Sequence, residues 1–415
     1  MTEQTSRPIS ACQACGKTTL SSVLFIGYIP PVNTMPEIGS VPDEQPAYPL
    51  ELLSCTSCGL VQIGFAVDPE ILFPPSYPYR SNSTRILRDN FADLYRNCRE
   101  MFALGPNDLC VDIGSNDGTL LSNFHDGGHP VLGIEPSRAA DDANARNIRT
   151  RMIFFSKKTA EDCRAEFGFA RIITAANVFA HIGDVHSVIE GITALLRRDG
   201  AFISENHYLP SLIETLQYDT IYHEHLRYYH LAALMPLLEA HGIEIFHVQR
   251  IRTHGGSIRV YSAFRGQQTV RPSVAQALKA EEEAGLVDGS ALKSFRRRAV
   301  QSKLDLHRLL SDIKRRGERI YGIGAPSRAS TLINYVGLDD GILDCVMEIA
   351  SSPKIGKYIP GTRIPVLDER KLFEDQPEYT LLLSWHIADE LVENLQRKGF
   401  RGKFVVPLAE PRTLS

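Results

Sequence analysis

The run Tyr222-His223-Glu224-His225 places a phenol, two imidazoles and a carboxylate within four residues. Imidazole is the side chain best suited to exchange a proton near neutral pH, and a neighbouring carboxylate such as Glu224 can orient it or another polar group. A positioned base of this kind is worth about 10²–10⁴-fold in rate. Read as alternating metal ligands, His223 and His225 would need a third ligand, and none is indicated nearby. Aromatic and histidine side chains hydrogen-bonded in a half-buried helix cap are the bland alternative. His230, His241 and His247 are scattered and read as structural or exposed.

The elements that must position such a base begin upstream. Residues 108–113 read as a short apolar strand, followed by the turn Gly114-Ser115-Asn116-Asp117-Gly118 and an amphipathic segment at 119–124. Glycine there lets the backbone approach a ligand. A second strand, 130–134, ends on Glu135, where a carboxylate can accept both hydroxyls of a ribose. The glycines do not fit G-x-G-x-x-G, and Asp112 and Asp117 would repel a pyrophosphate. An uncharged linkage beside a methionine ammonium fits better; an ordinary strand-turn-helix is the competing reading. A later strand closes on Asn177 and His181, at the carboxyl edge where a doubly wound sheet holds ligands. The turn resembles the first motif of class I S-adenosylmethionine-dependent methyltransferases. That resemblance implies a cofactor held by Asp112, Gly114, Asn116, Gly118, Glu135 and Asn177.

Cys12-Gln13-Ala14-Cys15-Gly16 and Cys55-Thr56-Ser57-Cys58-Gly59 are two C-x-x-C-G knuckles. Four thiolates at this spacing make a closed tetrahedral zinc site, structural because no position is left for substrate. Redox-dithiol and disulfide readings are the alternatives, the latter disfavoured in the expected cytoplasmic setting. Cys98, Cys110, Cys163 and Cys345 are isolated and read as small buried hydrophobes.

With 415 residues, 43% of them hydrophobic, the chain can build two or three cores. A net charge of −4 gives no field for nucleic acid or an anionic membrane. No apolar run reaches the eighteen or so residues of a membrane span, and residues 1–10 lack an apolar leader core. The fold expected is α/β with four parts. Residues 1–72 form a zinc-knuckle module and 73–270 a Rossmann-like methyltransferase domain; 271–318 form a helical bridge and 319–415 a second Rossmann-like α/β domain. In the last, Gly322-Ile323-Gly324-Ala325-Pro326-Ser327-Arg328 is a turn opening a helix. Its backbone N–H groups with Arg328, Lys354 and Lys357 could dock a phosphate, or the turn is plainly structural.

Taken together, the knuckles, Tyr77-Pro78-Tyr79, the glycine turn, Ala176-Asn177, His181, Ile221-Tyr222-His223-Glu224-His225, His254-Gly255-Gly256-Ser257 and Gly324-Ala325-Pro326 resemble the nucleotide-sugar C-methyltransferases of deoxysugar biosynthesis. The similarity spans nearly the whole chain. It implies that His225 is the base and that Tyr79, His181, Tyr222 and Glu224 surround the sugar. It also implies that Tyr77, His254, Gly256, Ala325, Ser327, Arg328, Lys354 and Lys357 bind the substrate. The implied partner is a nucleoside-diphosphate 4-keto-sugar, commonly of thymidine, methylated at C-3. Arg227 departs from the small polar residue often found after the base in relatives. An O-methyltransferase of the same fold is the nearest competing enzyme. A zinc-anchored binding protein without turnover and a nucleic-acid modifying enzyme are more distant ones. Three lobes of this size are expected to enclose the site as a monomer.

Overall fold

The computed structural model describes residues 6–74 and 85–414; Tyr77 and Tyr79 lie outside the described residues. Seven strands form the central sheet, ordered Ile243–Ile251, Ser257–Phe264, Leu196–His207, Ala170–Ala176, Cys110–Ile113, Val131–Ile134 and Thr150–Arg151. All run parallel except Ser257–Phe264, which is antiparallel to both neighbours. Cys110–Ile113 is buried throughout, as a strand covered on both faces must be. The chain leaves this strand toward Val131–Ile134 on one side and returns as Ala170–Ala176 on the other. That reversal opens a crevice at the carboxyl ends of the strands. Helix Arg85–Phe102 covers one face through Leu87, Phe91, Leu94, Cys98 and Phe102, spaced by threes and fours. Helix Val185–Leu195 covers the other face.

The N-terminal module is a four-stranded antiparallel sheet, and one of its strands comes from elsewhere in the chain. Its order is Arg227–Tyr228, Val61–Ile63, Tyr48–Cys55, Leu20–Ile29. The edge strand Arg227–Tyr228 begins two residues after His225, so the candidate base is tethered to both lobes. Arg227 is fully buried and donates to the Gln13 side chain, to the Tyr229 hydroxyl at 2.9 Å and to the Ile182 carbonyl. Arg227 is thus a bolt between the lobes.

A second sheet of six strands forms the C-terminal part, ordered Val366–Asp368, Cys345–Glu348, Ile320–Ile323, Tyr379–Leu382, Lys403–Val406 and Arg412–Leu414. It is parallel apart from Arg412–Leu414. Two helices, Pro272–Glu283 and Ser290–Arg315, bridge the sheets. The second, 26 residues or about 39 Å long, buries Leu292, Phe295, Ala299, Ser302, Leu306, Leu310 and Ile313 as one stripe. Its apolar members share a core with Val23, Ile26 and Leu50 of the N-terminal sheet and with Leu332 and Ile333 of the C-terminal domain. Among the described residues, no helix is long and apolar enough to cross a membrane.

Candidate active site and zinc centre

At the crevice, the chain turns sharply after Ile113. The Gly114 N–H donates to the Ile134 carbonyl at 2.7 Å, Gly114 and Gly118 take φ of +70° and +75°, and Asn116 is left-handed at +49°. Glu135 closes the turn: its two oxygens accept the N–H groups of Asn116 at 3.0 Å and Ser137 at 2.9 Å. A carboxylate has about four acceptor positions, so each oxygen keeps room for a ribose hydroxyl. Burial pushes the Asp112 carboxyl up to about 8, against the Thr174 hydroxyl that donates to it at 2.6 Å. A methionine ammonium set against Asp112 would offset that desolvation. Asn177, left-handed at φ +59°, hangs from the Glu205 carbonyl at the end of its strand.

Beside this turn lies a group of four histidines. The ring of His225 stands 4.8 Å from His181, 5.7 Å from His207 and 4.1 Å from Tyr222, measured between centroids. His207 is 6.0 Å from His254 and bonds its backbone carbonyl through Nε2 at 2.7 Å. The Nδ1 of His225 lies 2.8 Å from the Thr220 carbonyl. A carbonyl only accepts, so Nδ1 carries the proton and Nε2 is left as the basic nitrogen. Burial, with His181 and His207 nearby, holds His225 well below the usual 6.5. Burial likewise takes His181 and His254 down to about 4 and His207 to about 3. Burial and the Glu224 charge hold the Tyr222 hydroxyl well above 10, so it remains a proton donor. His181 Nδ1, His207 Nδ1 and His254 Nε2 are buried without a hydrogen-bond partner among the described residues. Such orphaned atoms at a strand edge suit a polar ligand.

Among the described residues Glu224 bonds another polar group in place of His225: its Oε1 accepts from Asn33 of the N-terminal module at 2.7 Å. Asn33 in turn accepts from the Ser327 hydroxyl at 3.3 Å, so all three lobes meet there. His223 points the other way, its Nε2 3.4 Å from the Pro49 carbonyl. Gly256, at φ +117°, packs against Ser211. In the C-terminal turn the Ala325 N–H donates to Glu348 at 2.5 Å and the Lys354 ammonium to the Ala325 carbonyl at 2.6 Å. Lys357 pairs with Glu37 at 3.2 Å. Arg328 is not the free cation expected from its position in the turn. Its guanidinium is buried and holds Asp219 through two bonds of 2.8 Å each. Of the scattered histidines, His230 is buried, His241 bonds His186 at 2.9 Å and His247 bonds Ser273 at 2.7 Å.

Away from the crevice, Cys12, Cys15, Cys55 and Cys58 bring their sulfurs within 4.8 Å of one another. Cys12 and Cys58 are 3.5 Å apart, Cys15 and Cys55 3.6 Å. Four sulfurs ~2.3 Å from one tetrahedral zinc stand about 3.8 Å apart, whereas a disulfide needs about 2.05 Å. The Cys58 thiol draws Cys12 down to about 5, against the burial that raises it. The donor set fits zinc.

Comparison with known proteins decides the family. Residues 252–409 match the model of the C-methyltransferase C-terminal domain, 12–73 that of a zinc binding domain and 85–248 that of a methyltransferase domain. The C-methyltransferase NovU of Streptomyces niveus is 33% identical over 99% of this chain and 98% of its own. The chain belongs to the zinc-binding C-methyltransferases.

Among solved structures, an S-adenosylmethionine-dependent methyltransferase from Anabaena variabilis is 19% identical with a TM-score of 0.34, over 44% of this chain and 86% of that one. Geranyl diphosphate C-methyltransferase from Streptomyces coelicolor is 12% identical with a TM-score of 0.33, over 44% of this chain and 84% of that one. This C-methyltransferase uses S-adenosylmethionine, with the zinc structural. The turn after Ile113 leaves no room for a side chain at Gly114. A Cβ there would lie 2.4 Å from Val178 Cγ2 on a backbone already at φ +70°. Gly114→Ala is expected to cost about 2–4 kcal/mol through left-handed strain and overpacking and to displace the adjoining Asn177. Denaturant melts and titration with S-adenosylhomocysteine measure both effects.

Sequence reasoning missed His207, Thr220, Asn33 and Glu348. His207 had a usable signal, since it ends an apolar strand on the ligand edge of the sheet. Thr220 acts through a backbone carbonyl and Asn33 from 191 residues away in the chain from Glu224, and neither leaves a local pattern.

Proposed function

We propose that this C-methyltransferase methylates C-3 of a nucleoside-diphosphate 4-keto-deoxysugar, commonly of thymidine, through a base-generated enolate. The observation that carries the reading is the tautomer of His225: Nδ1–H is tied to the Thr220 carbonyl, leaving a basic Nε2 among neutral imidazoles and a phenol. A carbon beside a ketone is nucleophilic only as its enolate. His225 takes the C-3 proton, and the Thr220 carbonyl stabilises the imidazolium that forms. Burial keeps the ring neutral but weakens it as a base, so the C-4 oxyanion must be held as it develops. The Tyr222 hydroxyl and an N–H of His181, with Tyr79, donate to it, and Glu224 lines the sugar site. S-adenosylmethionine, when bound, supplies the sulfonium methyl that the enolate carbon takes. Asp112, Asn116, Glu135 and Asn177, with the backbone of the turn shaped by Gly114 and Gly118, hold the donor.

His254 and Gly256, together with Tyr77, are assigned to binding of the acceptor. Ser327 and Lys354 serve its diphosphate, the Ala325 N–H being taken by Glu348 and the Lys357 ammonium being paired with Glu37. The name of the Streptomyces niveus relative favours carbon over oxygen as the methyl acceptor. Transfer from donor labelled with ¹³C in the methyl group is the test. A product methyl bonded to carbon in the NMR spectrum is expected; one bonded to oxygen would make this an O-methyltransferase.

The pH profile carries a second expectation. A base must be unprotonated to act, and His225 sits well below the usual 6.5, so its active form persists as pH falls through that value. The profile of kcat/KM is expected to stay level across neutral pH and to fall only below the ordinary histidine range. A fall centred at 6.5 or above would contradict the buried setting.

A further inference from the structure

We infer that Arg328, from the C-terminal domain, is a positioning residue that fixes the tautomer of His225 by clamping Asp219. The inference rests on the base role given to His225 above. Arg328 is the second residue of helix Ser327–Val336, and its side chain is 8% exposed. Its Nε and Nη2 donate to the two oxygens of Asp219 at 2.8 Å each, a fork-to-carboxylate pair. Nη2 also donates to Gln217 Oε1 at 3.1 Å, while Nη1 lies 3.1 Å from His386 Nδ1. The guanidinium lies 4.9 Å from the Trp385 ring, whose Nε1–H donates to Asp219 at 2.7 Å. C-terminal side chains therefore grip both oxygens of a fully buried aspartate.

Asp219 sits in the 3-10 turn Tyr218–Thr220, and the last residue of that turn presents the carbonyl that bonds His225 Nδ1 at 2.8 Å. Gln217, which Arg328 also holds, donates to the Gly255 carbonyl at 2.7 Å, and neighbouring His254 accepts from His207 through its own carbonyl. One guanidinium thus tethers the turn behind His225 and the turn behind His207. The sequence pointed to Arg328 as a phosphate ligand; its cation is instead matched by a carboxylate. A displacement of ~1 Å at a reacting group can cost about 10²-fold, so a small shift of the Thr220 carbonyl is enough to matter.

The test uses the full-length zinc-loaded enzyme and its Arg328→Lys and Asp219→Asn variants, each checked for an unchanged melting temperature. Histidine ¹⁵N NMR reads the tautomer directly, the His225 signal being assigned by its loss in His225→Gln. Wild type is expected to give one Nδ1–H form, and each variant a mixture of forms. The variants should also lose about 10–100-fold in kcat, with affinity for thymidine diphosphate unchanged. If Asp219→Asn melts early, Arg328→Lys alone decides. A single Nδ1–H tautomer in both variants, or weakened thymidine diphosphate binding with kcat intact, would overturn the inference. Failure of the keto-sugar reading would appear separately, as absent turnover in wild type with the tautomer result unaffected.

Discussion

Replacing His225 with asparagine is expected to lower kcat/KM for methyl transfer by about 10²–10⁴-fold, the range a positioned base supplies. Affinity for S-adenosylhomocysteine should be unchanged, because among the described residues the turn proposed to hold the donor makes no hydrogen bond to His225 or to the Thr220 carbonyl. Asparagine keeps a polar group near Thr220 but has no basic nitrogen. Steady-state kinetics paired with calorimetric titration separates the two effects. A variant with near-native turnover would remove His225 from the chemistry, whatever its position. Loss of donor binding in parallel would mean that the substitution had disturbed the crevice and not the proton transfer.

Removing zinc is expected to have the second large effect, through structure. Structural zinc contributes ~10–16 kcal/mol to folding in isolated zinc-finger peptides. Here Cys12 and Cys55 are buried in one core with Leu60 and with Tyr229 and Leu231, which follow the candidate base in the chain. Loss of the metal leaves four thiols at that spot and loosens the sheet to which Arg227–Tyr228 is bonded. Treatment with a strong chelator, or Cys55→Ser, is expected to lower the melting temperature by ~10 °C or more and to abolish turnover. Inductively coupled plasma analysis for zinc alongside the melt tests this. Full activity in metal-free protein would contradict a structural role.

Much of the fold was legible because its elements announce themselves locally. The strand before Gly114, the strand that ends at Glu135 and the long stripe of helix Ser290–Arg315 each follow from periodicity and turn residues alone. The strand Arg227–Tyr228 was not legible: two residues have no period, and their partner Val61–Ile63 lies far upstream. The site divides in the same way. Cysteine spacing pointed to the metal cluster, and the Tyr222 to His225 run pointed to the candidate base. The partner of that candidate base is a backbone carbonyl next to Asp219, whose own partner Arg328 lies 109 residues further along the sequence. Arg328 illustrates the limit: its place in a glycine turn suggests an anion ligand, and only packing reveals Asp219 as the anion.

Solvent exchange at the reacting carbon tests the central claim most directly. The enzyme, saturated with S-adenosylhomocysteine so that no methyl can transfer, is incubated in deuterated water with a thymidine diphosphate 4-keto-deoxysugar. Deuterium is expected to enter at C-3 with the wild-type protein and to be suppressed by His225→Asn. Exchange at an equal rate in the variant, or none in a wild-type enzyme that methylates the same sugar, would contradict a His225-generated enolate.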